Sequence, residues 1–207
     1  RRAAGVVASP PAVTPHRAVP PPASAWLDAA AILIGVGAVA APVAVFFGTS
    51  TWLLLGLALA AATITAGTIA RILTPRRWVA VLVAIAATVL TGTWALTPGE
   101  GIALVIPTPW SIEALDQRLA IAIERLGLGA APMQETPEIT AALAGAVALI
   151  ALLSFLLVAV GVPALVGLVL LVFWMVPGLI NGADVDLLAF LVAGACWLVL
   201  ITGERWR

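Results

Sequence analysis

His16 and Cys196 are the chain's one histidine and one cysteine. Together they would be the natural pair for nucleophilic catalysis, a thiol activated by an imidazole within hydrogen-bond reach. Their settings forbid it: His16 falls in a proline-rich tail and Cys196 inside a long uncharged apolar run. Cys196 is therefore read as a small packing residue. A single cysteine also excludes an internal disulfide, a multi-cysteine zinc site and an iron–sulfur cluster. Asp184 and Asp186 could begin a metal site, but two carboxylates suit a helix N-cap better than a hard cation. Glu135 and Glu138, on either side of Thr136-Pro137, read as a solvated helix start. No catalytic, cofactor-binding or metal-ligating residue is assigned.

Transport chemistry is equally poorly provided for. Proton and ion pathways place Asp, Glu, His or Arg within the membrane. Here the interior of every apolar run is free of them, with Asp28 at the end of the first. Thr63, Thr65, Thr68 and Ser154 are the main polar groups at depth, able to bond to their own helix or across helices. Gly35, Gly37, Gly145, Gly161, Gly167 and Gly194 offer close-packing surfaces rather than a pore. No internal repeat marks two inverted halves.

The elements that carry these residues follow from composition. Hydrophobic residues make up 63% of the chain and charged residues 10%, with a mean hydropathy of +1.16; a water-soluble domain runs nearer half apolar and a quarter charged. The excess lies in six apolar runs, 29–47, 51–70, 78–96, 140–160, 163–180 and 187–202. About 20 residues at ~1.5 Å each cross the ~30 Å hydrocarbon layer. Unbroken apolar runs exclude the alternation of a barrel. The expected fold is all-α, a polytopic membrane bundle of about six transmembrane helices over 26–207. The last run is short. Net charge is zero, which leaves no basic surface for nucleic acid.

Residues 1–25 hold six prolines and no amphipathic period, which predicts a disordered tail. Pro42 should kink the first helix, Pro163 suits the first turn of the fifth, and Pro177 marks its last turn. Trp26, Trp52, Trp78, Trp94 and Trp206 sit at helix ends, where headgroups accommodate an amphipathic ring; Trp174 and Trp197 fall deeper, in helix packing. All ten basic residues are arginine, a bias that suggests a GC-rich bacterial coding sequence. Arg1, Arg2, Arg17, Arg71, Arg76, Arg77, Arg205 and Arg207 fall on one side and only Arg118 and Arg125 on the other. Positive charge stays inside, so both termini are expected in the cytoplasm of a bacterial plasma membrane.

The long external loop, 97–139, carries a different element. Thr108-Pro109 is a strong helix start, and Gly127 and Gly129 stop it. Trp110, Ile112, Leu115, Leu119, Ala122, Ile123 and Leu126 recur mostly at three- and four-residue steps, with Glu113, Asp116, Gln117, Glu124 and Arg125 mostly elsewhere. This predicts an amphipathic helix over 109–126, on the membrane surface or on the bundle. Its acidic polar face is unsuited to anionic lipid, so the stripe of Trp110, Leu115, Leu119 and Leu126 is expected to dock on the outer ends of the bundle or on a domain downstream rather than to float on lipid.

From that loop onward, IPTPWSIEALDQRLAIAIERL, the APMQETPEI turn, the VGVPALVGLVLLVFWMVPGLI stretch and the closing GERWR resemble the N-terminal membrane domain of actinobacterial TgpA-like transglutaminases. The resemblance spans 26–207 and is strongest over 104–207. It implies a seventh membrane helix and an extracytoplasmic domain with a Cys–His–Asp triad downstream; none of those catalytic residues has a counterpart here. The implied role is to anchor, and to gate, a cell-envelope enzyme, with the lipid bilayer and that downstream domain as partners. A chain that opens on Arg1 rather than Met and stops after an apolar run fits a piece of a longer protein. The alternative is an independent transporter or lipid-handling subunit.

The arginine asymmetry makes a direct prediction. Single cysteines at Arg17, Arg76 and Arg205 should resist an impermeant thiol reagent in intact cells, whereas one at Glu100 or Glu135 should react. External labelling at position 76 would reverse the orientation.

Overall fold

A computed structural model describes residues 22–47, 49–103, 105–128, 133–181 and 186–205. Seven α-helices account for most of them: α1 (Pro22–Ala40), α2 (Thr51–Leu73), α3 (Arg77–Leu96), α4 (Pro109–Leu128), α5 (Pro137–Val160), α6 (Ala164–Asn181) and α7 (Leu187–Arg205). The architecture is an all-helical bundle with α4 laid across one end. Among the described residues the only extended pairings are isolated bridges, Phe47 with Met133 and Ile102 with Ile106.

Among the described residues, four helices are long and apolar enough to cross a membrane: α1 with its extension to Phe46, α2, α3 and α5. The described apolar stretches of the last two are shorter, Ala164–Met175 and Leu187–Gly203. The exposure pattern inverts that of a water-soluble bundle. Ala60, Ala80, Ala84, Ala144 and Ala151 are fully buried, while Leu54, Leu73, Leu149 and Leu168 are more than half exposed. Small residues let helix backbones approach, and bulky ones face a surrounding that is itself apolar. That arrangement is compatible with insertion in lipid.

Helix ends follow local chemistry, with some departures from expectation. The first helix starts at Pro22, not near residue 29, because proline is favoured in a first turn and Ala23-Ser24-Ala25 continue it. Residues 22–25 are thus helix rather than tail, and residues 1–21 lie outside the described ones. Pro42 does not bend α1. Instead, α1 ends at Ala40 and a 3-10 segment, Ala41–Phe46, takes over with proline in its first turn. Leaving out a backbone donor breaks the i→i−4 ladder at that point. The last helix is 19 residues, longer than the run suggested. Between α5 and α6, Gly161 adopts the left-handed conformation (φ 95°). There the amides of Gly161 and Val162 both bond back to the Leu157 carbonyl, at 3.2 and 2.9 Å. That tight cap turns the chain straight into Pro163 and α6.

The core is organised around α2 and α5, the most extensive helix pair. A Cβ placed on Gly56 would lie 2.8 Å from Val147 Cβ and 3.1 Å from Ala144 Cα; one on Gly67 would lie 2.5 Å from the Phe155 ring. The two glycines therefore set the separation. α3 joins α2 through hydroxyls: Thr88 donates to the Ala84 carbonyl, so Thr63 donates to Thr88 Oγ1 at 2.9 Å. Thr91, Thr93 and Thr97 each donate to the carbonyl four residues earlier. Of the expected deep polar groups, Thr63, Thr68 and Ser154 are buried, whereas Thr65 faces outward.

Gly56 and Gly92 should respond oppositely to the same substitution. Gly56→Ala pushes rigid neighbours apart and should cost about 1–3 kcal/mol. Gly92, with nothing within 4 Å of the added methyl, should gain up to ~1 kcal/mol as alanine. Unfolding titration in mixed micelles measures both; equal stability of the two variants would contradict the α2–α5 contact.

Candidate functional site

The residues singled out for chemistry are scattered by the fold. Cys196 is a buried free thiol in α7, facing the α1 backbone where its Cβ would stand 3.4 Å from a methyl on Gly35. It packs. His16 and Asp184 lie outside the described residues. Asp186 caps α7, its Oδ1 accepting from the amides of Leu188 and Ala189 at 2.9 and 3.1 Å. No group of three or more His, Cys, Asp or Glu side chains converges among the described residues.

Polar groups gather instead at the two ends of the bundle. At one end the Arg71 guanidinium of α2 meets Asp28 of α1 at 3.1 Å, with side chains only 12% and 6% exposed. The earlier start of α1 places Asp28 in its second turn, where it is buried rather than terminal. Nearby, Arg77 at the start of α3 donates to the Val160 carbonyl at the end of α5 at 3.3 Å. A cation on those last carbonyls complements the helix dipole.

The α4 end is richer. Thr108 and Ser111 form a reciprocal cap: Thr108 Oγ1 accepts from the Ser111 amide and Ser111 Oγ from the Thr108 amide, at 3.1 and 2.8 Å. The Thr108 hydroxyl also donates to the Glu100 carbonyl at 2.7 Å, fixing the loop to the helix start. Arg118 reaches down to donate to the Leu96 carbonyl at the end of α3. Arg125 pairs with Glu138 of α5 at 2.9 Å. Glu135, just ahead of α5, accepts from the Trp52 amide in the first turn of α2 at 2.8 Å and from the Thr140 hydroxyl at 2.9 Å. It is an N-cap supplied from 83 positions away.

Beside these groups lies a cavity of about 930 Å³ bordered by Thr49, Thr51, Arg118, Gln134, Glu135 and Thr140 among others. The carboxylate of Glu135 and the guanidinium of Arg118 share its wall, Glu135 Oε1 taken by the Trp52 amide and Arg118 by the Leu96 carbonyl. Glu135 Oε2 and Trp52 Nε1 are buried without a partner. A second, nearly apolar groove of about 650 Å³ runs between α6 and α7. Trp174 and Trp197 stand along it, donating to the Asp186 and Ala164 carbonyls at 3.1 Å each.

Three expectations are corrected here. α4 does dock on the bundle, but the docked seam is Ser111, Leu115, Arg118, Ala122 and Leu126, of which Ser111 and Ala122 are almost fully buried. Trp110 and Leu119, expected to dock, are exposed, at 71% and 38%. Glu135 is half-buried and structural rather than solvated. Trp52 is 1% exposed, packed edge-on against Phe47 with ring centroids 6.1 Å apart, and does not belong to a headgroup belt. Small residues at 111 and 122 were the signal for the seam, because close approach selects them over bulk. Comparison with known protein families, curated proteins and solved structures finds no match for this chain.

The two ion pairs differ in setting, and their loss should differ accordingly. Arg71→Met removes the cationic half of a buried pair and should cost about 3–5 kcal/mol. Arg125→Met removes a pair open to water and should leave stability unchanged within error. Thermal unfolding in detergent ranks them; comparable losses would show that Asp28 is satisfied without Arg71.

Proposed function

We propose that this chain is a membrane-anchoring bundle, the non-catalytic N-terminal membrane part of a larger transglutaminase-like cell-envelope protein. In this reading six helices, α1, α2, α3, α5, α6 and α7, cross a bacterial plasma membrane with both termini in the cytoplasm. α4 then lies outside, facing the catalytic domain that the resemblance places downstream. The observation that carries the reading is the packed interior of α2, α3 and α5. It is rich in alanine and glycine, its α3 threonines bond along their own helix and Thr63 bonds across to Thr88, and its charged groups are confined to the ends. Such an interior gives mechanical support and a fixed platform. Carrying a solute through it would require opening contacts as close as those of Gly56 and Gly67.

A second reading, a lipid-handling subunit, draws on the groove between α6 and α7, which is apolar and large enough to hold part of an acyl chain.

Reading the coding sequence beyond Arg207 divides them. The anchoring role expects another hydrophobic segment followed by a soluble domain with Cys, His and Asp in triad order. A stop codon there, together with lipid transfer by the purified chain between vesicles, would overturn anchoring in favour of lipid handling.

A further inference from the structure

We infer that α4 is a membrane-interface helix as well as a bundle cap, held in the headgroup layer by two apolar flanks. At 3.6 residues per turn, Ile112, Leu119 and Ile123 fall in one stripe, and Trp110 and Ile121 in another on roughly the opposite side of the helix. The docked seam runs between these stripes on one face, and Glu113, Asp116 and Glu124 occupy the other. Ile112 and Ile123 are 64% and 69% exposed, and Trp110 is 71% exposed. α4 therefore carries an exposed apolar stripe on either side of its docked seam, the Trp110 stripe bordered by Gln117 and Arg125, and acidic side chains on the remaining face.

The depth of α4 identifies what covers the other two. Arg118 ties its middle to the carbonyl of Leu96, two residues beyond Trp94, or about 3 Å further along the α3 axis. Trp94 is 59% exposed on the side of the bundle, the position of a belt tryptophan at the edge of the hydrocarbon. The Arg118–Leu96 bond thus brings α4 to the end of α3 just beyond Trp94, the level where lipid headgroups begin. A protein partner would cover one flank. Lipid surrounds both at once, which is what two apolar stripes on opposite sides of the seam require, while the acidic face stays in water. The occupant is the lipid of the leaflet at this end of the bundle, engaged by apolar burial and not by charge. This holds whichever side of the membrane α4 occupies, and for either function above.

Spin labels read it directly. Single cysteines at 112, 119 and 123, at 110 and 121, and at 113, 116 and 124 are introduced into the Cys196→Ser protein, which is then reconstituted in phosphatidylcholine vesicles. Labels on both flanks should collide more with oxygen, which partitions into lipid, than with the water-soluble nickel chelate Ni-EDDA. Labels at 113, 116 and 124 should show the reverse. Flank labels as open to nickel as position 124 would place α4 in water and overturn the inference. Flank labels shielded from both reagents would overturn it in favour of a protein contact. A label-free measurement stands beside it: lipids brominated near the headgroup should quench more of the tryptophan emission in the unmodified protein than in Trp110→Phe. Equal quenchable emission would likewise count against it.

Discussion

The close approach of α2 and α5 is the contact on which the rest of this bundle depends. Between helices surrounded by lipid there is little hydrophobic drive to associate, so affinity comes from backbone proximity and packing. Gly56 against Ala144 and Val147, and Gly67 against Phe155, supply that proximity at two levels. Both pairs advance in the same direction along the chain, so α2 and α5 run parallel with their N-termini at one end. That alignment is why a carboxylate placed before α5 reaches the first turn of α2. The Glu135–Trp52 bond is a consequence of the helix packing, and it locks the register that the glycines permit.

The same constraint sorts polar groups by depth. In an apolar surrounding an unpaired charge is far more costly than a hydroxyl that finds a carbonyl on its own helix. The middle of the bundle accordingly holds hydroxyls: α3 threonines bonded to the preceding turn, and Thr63 of α2 bonded to one of them, Thr88. Carboxylates and guanidinium groups occupy the ends: Asp28 with Arg71 and Arg77 on Val160 at one, Glu135, Arg118, Arg125 and Glu138 at the other. Each of these four arginines reaches a helix C-terminal carbonyl or an acid on another helix, so the charges tie neighbouring helices together where they are allowed to exist.

Much of the helical layout was legible because uncharged runs and turn chemistry are local signals. Thr108-Pro109 as a helix start and Asp186 as a cap were read from a few residues and are present in the structure. The facing of helices was not legible in the same way. When interior and exterior are both apolar, hydrophobic periodicity loses its meaning, and Trp52, an apparent belt residue, turns out to be core. The start of α1 was missed because proline-rich composition reads as tail, although one proline in a first turn is compatible with helix. Glu135 was missed since its partner is an amide remote in sequence, and no local pattern announces such a cap.

α4 shows that one rule serves both environments. Its hydrophobic periodicity assigns the apolar stripe to the bundle or to a downstream domain, as is correct for a helix on a water-soluble core. The structure gives the bundle a seam of Ser111, Leu115, Arg118, Ala122 and Leu126, and turns Trp110, Ile112 and Ile123 outward. This is the arrangement of the long apolar helices, small and polar groups inward and bulk outward, repeated in a helix amphipathic enough to keep one acidic face. A helix selected only to cap the bundle would bury its largest side chains there. One that leaves them out while spending its hydroxyl and guanidinium on the contact is patterned for surroundings that receive apolar bulk on either side.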